Sequence, residues 1–95
     1  MIVRIVKLTF QEEYINDFIT ISKESKELIR NFEGVKKLEL LRCSTNGNVF
    51  FTHSHWESED ALEKYRQSEL FKSTWAKTKP LFSEKAEAWS NFKLF

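Results

Sequence analysis

Ninety-five residues suffice for one domain and are too few for two, so residues 1–95 are read as a single unit. Fifteen basic and fourteen acidic side chains leave a formal charge of +1, which excludes the electrostatic footprint of a nucleic-acid-binding protein and leaves no block of like charge to act as a membrane-binding tail. Nine Phe, three Trp and two Tyr are many rings for this length, and they point to a dense core, an apolar pocket, a subunit interface or some combination.

The first ten residues are interrupted by Arg4 and Lys7 and followed by no small-residue cleavage site, so no signal peptide is expected. No run approaches the ~20 apolar residues of a membrane span. Cys43 is the single cysteine and has no internal partner, which fits a reducing compartment. A soluble, cytoplasmic protein is the expectation.

In chain order, Ile2 to Phe10 is short and rich in Ile and Val, and reads as a strand. From Glu12 to Phe32 the period changes. Tyr14 or Ile15, then Phe18, Ile21, Leu28, Ile29 and Phe32 recur at three- and four-residue spacing, with Ser22 and Ser25 completing the stripe and charged residues on the other face, as in an amphipathic helix. Gly34 stands where a helix C-terminal glycine belongs. Val35 to Cys43 is a second strand, with Leu38 and Leu40 on one face. Ser44 to Asn48 is a turn in which Asn46-Gly47 favours left-handed backbone angles.

Val49 to Trp56 is the third strand and the bulkiest. Ser58 reads as an N-cap, with Glu59 and Asp60 in the first helical turn. Ala61, Leu62 and Tyr65 form the inner face of that helix. Ser68-Glu69 reads as a second cap at which the helix breaks and restarts, and Leu70, Phe71 and Trp75 continue the apolar stripe. Pro80 disfavours helix at Lys79. Ala88 to Phe95 reads as the last strand.

Strand, helix, strand, strand, helix, strand is the order of a ferredoxin-like α+β domain, βαββαβ, with an antiparallel sheet and its helices on one face. Strands one and three belong in the centre, since each is apolar on both sides: Ile2, Val6 and Leu8 against Val3 and Ile5, and Phe50 and Trp56 against Val49 and Phe51. The face without helices is then bare and apolar. Its economical cover is the same face of a second copy, giving a homodimer of the dimeric α+β barrel type. A half-exposed antiparallel sheet is the alternative.

The stretch Phe50-Phe51-Thr52-His53-Ser54-His55-Trp56-Glu57-Ser58-Glu59-Asp60-Ala61-Leu62, followed by Tyr65 and Ser68-Glu69-Leu70-Phe71, resembles the antibiotic biosynthesis monooxygenase family. The element order and spacing agree with that family over nearly the whole chain. The resemblance implies cofactor-free oxidation, by dioxygen, of a small aromatic molecule of the phenol or quinol type. It carries no nucleotide cofactor with it: Gly34 and Gly47 are the only glycines, and no Gly-x-Gly-x-x-Gly exists. Haem-degrading relatives share the strand-end Trp, matched by Trp56. Their His ligand and their strand-one Asn are replaced by Trp75 and Val6, which argues against haem.

The same resemblance makes Trp56 and Tyr65 the candidate catalytic residues, Trp56 as a wall that stacks on a flat substrate and Tyr65 as a donor to a quinol oxygen. Thr52 and Ser54 share the Trp56 face and are candidate substrate-binding hydroxyls, and Phe71 and Trp75 candidate substrate-binding rings. Each also has a plainer reading, as core packing for the rings and as local hydrogen bonding for the hydroxyls. His53 and His55 lie on the opposite face. With Glu57 nearby they lack a third ligand in sequence, so no metal site is assigned. Cys43 reads as a small apolar filler. The alternative function is a non-catalytic small-molecule-binding or stress-response dimer of the same fold.

Overall fold

Alternation along the strands decides what lies above and below the sheet. The computed structural model describes every residue, Met1–Phe95. Strand β1 (Ile2–Thr9) pairs antiparallel with β3 (Val49–Trp56) on one side and with β4 (Glu87–Phe92) on the other, while β2 (Val35–Arg42) closes the far side of β3. The order β2-β3-β1-β4 puts the two most apolar strands in the middle. This is the expected α+β, ferredoxin-like arrangement.

Ile2 stands opposite Trp56, Arg4 opposite Ser54, Val6 opposite Thr52 and Leu8 opposite Phe50. These eight residues share the face covered by helix α1 (Ile15–Arg30), helix α2 (Glu59–Arg66) and helix α3 (Glu69–Thr78). Val3, Ile5, Phe51, His53 and His55 take the other face, joined by Leu41 of β2 and Trp89 of β4. No helix covers that side. Leu41 and Trp89 keep 48 % and 47 % of their surface exposed, as large apolar side chains left without a cover must.

Both serine caps form. Ser58 accepts the Ala61 N–H at 3.1 Å, and Ser68 accepts the Phe71 N–H at 3.1 Å, so the helical segment divides between Arg66 and Glu69. Gly34 has φ +90°, and a side chain there would overlap the Cβ of Ala61. Glycine thus lets the chain reverse after α1 and lie against α2.

Four expectations need correction. The first helix begins at Ile15, because Glu12–Tyr14 forms a 3-10 turn, and it ends at Arg30. The last strand is Glu87–Phe92: Phe92 pairs with Ile2, the first residue of β1, so Lys93, Leu94 and Phe95 find no strand to join. Asn46-Gly47 adopts no left-handed angles, since Gly34 alone has positive φ. The β2–β3 connection is held by the Asn46 side-chain oxygen on the Asn48 N–H at 3.1 Å and by the Asn46 carbonyl on the Val49 N–H at 3.1 Å. Finally, Cys43 is a half-exposed loop residue rather than filler; hydrogen bonding from Thr45 lowers the pKa of its thiol.

The core is divided. Leu8, Phe10, Ile15, Phe18 and Phe50 pack at one end, and Ile2, Trp56 and Leu62 at the other. Only 12 of 95 residues are buried, and the two clusters do not merge into one core.

Candidate functional site

Between the two core clusters lies a cavity of about 610 Å³. That is the size of a small-molecule site and far larger than a packing defect. Strands β1 and β3 form its floor, α1 one wall, and α2 with α3 the other. The alternation of β3 turns Phe50, Thr52, Ser54 and Trp56 to the helix side, and Thr52, Ser54 and Trp56 line the cavity. Tyr65 enters from the last turn of α2, and Phe71 and Trp75, one helical turn apart, from α3. All six candidate residues therefore border one space.

The rings form a continuous wall. Trp56 lies 4.9 Å from Tyr65 by centroids, Tyr65 5.3 Å from Phe71, and Phe71 5.9 Å from Trp75 with the two planes only 10° apart. Trp75 then meets Phe82 edge-on at 5.5 Å. Such a wall offers flat faces and edges to a planar aromatic guest. Trp56 itself is 2 % exposed, so what it presents to the cavity is a small part of its ring. Its indole N–H donates to the Ser54 hydroxyl oxygen at 2.9 Å. That bond fixes the indole plane and occupies a lone pair of Ser54, which leaves the Ser54 proton to donate elsewhere.

Burial pushes the pKa of Tyr65 up to about 12. At neutral pH its hydroxyl is a proton donor and not a base. No imidazole reaches the cavity. His53 and His55 sit on the open face with ring centroids 5.0 Å apart, and His53 Nδ1 lies 3.2 Å from the Glu39 carboxylate. Burial, followed by the charges of His53 and Lys37, lowers the pKa of His55. The chain brings no three His, Cys, Asp or Glu side chains together in a metal-binding arrangement. Trp75 and Val6 both line the cavity, and its lining holds no His, Cys or Met.

The family model for antibiotic biosynthesis monooxygenase matches residues 1–77. The chain belongs to that family. No curated protein sequence is detectably similar to it. Among solved structures, an antibiotic biosynthesis monooxygenase family protein from Nitrosomonas europaea superposes with a TM-score of 0.93 at 12 % identity, each chain covered over 100 % of its length. One from Caulobacter crescentus gives 0.93 at 19 % identity, covering 99 % of this chain and 90 % of the other. A conserved protein from Methanosarcina mazei gives 0.92 at 19 % identity, covering 98 % and 93 %. At these identities the likeness establishes the antibiotic biosynthesis monooxygenase fold.

The cavity also has a charged lining residue that the sequence reading did not single out. Arg4 lines the cavity from the middle of β1, half-buried, with its guanidinium donating to Ser90 Oγ at 2.9 Å. Burial, and next the guanidinium of Arg66, lower its pKa. The signal was available: Arg4 falls in step with Ile2, Val6 and Leu8, so the alternation that buries them turns Arg4 the same way.

Proposed function

We propose that the chain is a cofactor-independent monooxygenase that oxidises a small phenol- or quinol-like aromatic with dioxygen, acting as a homodimer in the cytoplasm. The observation that carries this reading is the ring-walled cavity of about 610 Å³ between sheet and helices, in a chain of this family. Its walls suit a planar aromatic, and its polar side chains, Ser54, Thr52 and Tyr65, supply donors that hold a phenolic oxygen.

The chemistry needs no external reductant. A phenolate gives one electron to dioxygen, and the resulting phenoxyl radical and superoxide join through a ring carbon as a hydroperoxide. Cleavage of the O–O bond releases water and leaves the other oxygen as a quinone carbonyl, so phenol plus O2 gives quinone plus H2O. The water carries away the phenolic proton and the ring proton. In this reading Trp56 and Phe71 hold the ring plane, Trp75 closes the far wall, and Tyr65 and Ser54 donate to the substrate oxygens. The homodimer is supported by the uncovered apolar face of Val3, Ile5, Leu41, Phe51 and Trp89, and the compartment by the lone Cys43.

The test is oxygen uptake by the purified protein with a panel of naphthols and naphthoquinols, with Trp56→Ala and a chelator-treated sample alongside. Uptake above the spontaneous rate that survives chelation and falls at least ten-fold in Trp56→Ala is the expected result. Uptake no faster than the protein-free control across the panel, with the same compounds shown to bind, overturns the enzyme reading. It would favour a non-catalytic binding dimer, a second reading that one observation supports: no imidazole lines the cavity, and the one carboxylate at its border, Glu39, pairs with His53 on the other face of the sheet and so offers no base.

A further inference from the structure

The charge around the cavity does not follow the near-neutral balance of the chain. Five cationic side chains line it: Arg4 on the floor, Lys23, Lys26 and Arg30 on α1, and Arg66 on α2. The single carboxylate residue bordering it is Glu39. Glu39 alternates to the far face of the sheet, where its carboxylate meets His53 at 3.2 Å and Lys37 at 3.4 Å. Arg30 and Arg66 have exposed carboxylate partners, Glu27 at 2.9 Å and Glu63 at 3.3 Å. Arg4 has none. Its one protein partner is the neutral hydroxyl of Ser90, although it is half-buried among apolar residues and lies within electrostatic reach of a second guanidinium.

A half-buried guanidinium without a counter-ion is costly unless something compensates it. Guanidinium is also the side chain best suited to a planar, two-oxygen anion. We infer that Arg4 is the anchor of an anionic subsite, and that the natural ligand is a planar aromatic carrying an oxyanion, a carboxylate or a phenolate, which Arg4 holds against the ring wall of Trp56 and Tyr65. Ser54, directly opposite Arg4 in the β1–β3 register, adds a hydroxyl donor. Lys23 and Lys26, exposed on α1, draw the anion towards the entrance. The subsite rests on reading the cavity as a ligand site and names the substrate class that site selects.

The test is calorimetric titration at pH 7, without oxygen, using three probes of one shape: 2-naphthoate, 2-naphthalenemethanol and 2-naphthylmethylammonium. A fourth, 2-naphthol at pH 7 and above its own pKa, separates a phenolate preference from a carboxylate one. Naphthoate, ionised naphthol or both are expected to bind at least ~10-fold tighter than the neutral alcohol, with the cation weakest, and the preference should shrink as salt rises. Arg4→Met should remove that preference and leave the alcohol's affinity unchanged, while Arg4→Lys keeps part of it. Far-UV circular dichroism identifies an unfolded Arg4→Met, in which case Arg4→Lys and the probe series on the wild type decide. Equal affinities for anionic and neutral probes, or parallel losses for both in Arg4→Met, overturn the inference. Anion-selective binding without any oxygen uptake would uphold this subsite and sink the monooxygenase reading. Quinol oxidation by the wild type together with equal affinities for the anionic and neutral probes would do the reverse.

Discussion

Tyr65 offers a pH experiment whose outcome follows from burial alone. Its hydroxyl, ordinarily at 10, is raised to about 12 because ionising it beside Trp56 and Phe71 would strand a charge in apolar surroundings. Below pH 10 the folded and unfolded chains both hold the proton, and the group contributes no pH dependence. Between 10 and 12 the unfolded chain loses the proton while the folded one keeps it, so stability falls as pH rises. Two units at about 1.4 kcal/mol each give a loss on the order of 2–3 kcal/mol by pH 12. The assay is urea unfolding of wild type and Tyr65→Phe from pH 8 to 12, with tyrosinate absorbance near 295 nm followed in parallel. Other groups that titrate in this range cancel in the comparison. The wild type should lose that extra stability above pH 10 and the variant should not, and the absorbance step belonging to Tyr65 should be centred near 12. A Tyr65 step centred at 10, with matching stability profiles, would refute the reasoning and reopen Tyr65 as a base.

Gly34→Ala forces a side chain into a φ of +90° and against Ala61 Cβ, and should cost on the order of 2–4 kcal/mol in urea unfolding; adding Ala61→Gly should recover part of the loss, whereas no recovery would rule out the overlap. Phe51→Glu and Trp89→Glu put charge on the uncovered face of the sheet and should yield a monomer by analytical ultracentrifugation, with the wild type expected to sediment as a dimer; a monomeric wild type would refute the proposed pairing of sheets. Ser68→Ala removes the cap of α3 and should lower stability by about 1 kcal/mol in the same unfolding assay, by freeing the Phe71 N–H. Because Phe71 joins Tyr65 to Trp75 in the wall, fraying of that turn should also weaken aromatic ligand binding, measurable by titration with 2-naphthoate.

What was legible in the sequence was whatever depends on period and on local chemistry. The two central strands declared themselves by apolar residues on both faces, and Ser58 and Ser68 by the helices that follow them. Gly34 stood at the one reversal that needs a positive φ. What failed depended on partners distant in sequence. Leu94 and Phe95 look like strand residues until β1 is found to begin at Ile2, which leaves them nothing to pair with. Asn46-Gly47 looks like a left-handed turn, yet neither residue has a positive φ, because side-chain and backbone bonds from Asn46 to Asn48 and Val49 shape the loop instead. The site was half legible. Trp56, Thr52 and Ser54 follow from strand alternation, but whether their rings and hydroxyls surround space or fill it depends on how far α1 stands from α3. Arg4 was hidden for a different reason: a lone charge in a strand reads as surface unless its alternation is followed through.

The split core carries a practical consequence. Because the aromatic cavity separates the Phe10 cluster from the Trp56 cluster, a guest lodged there would act as a removable keystone, touching both halves at once. A ligand that binds only the folded chain adds about 2.7 kcal/mol at a hundred times its Kd. For a chain of this size that is on the order of 10–20 °C in melting temperature. The melting curve is therefore a direct reporter of occupancy, and a library of aromatic acids and phenols can be ranked on it before any reaction is assayed.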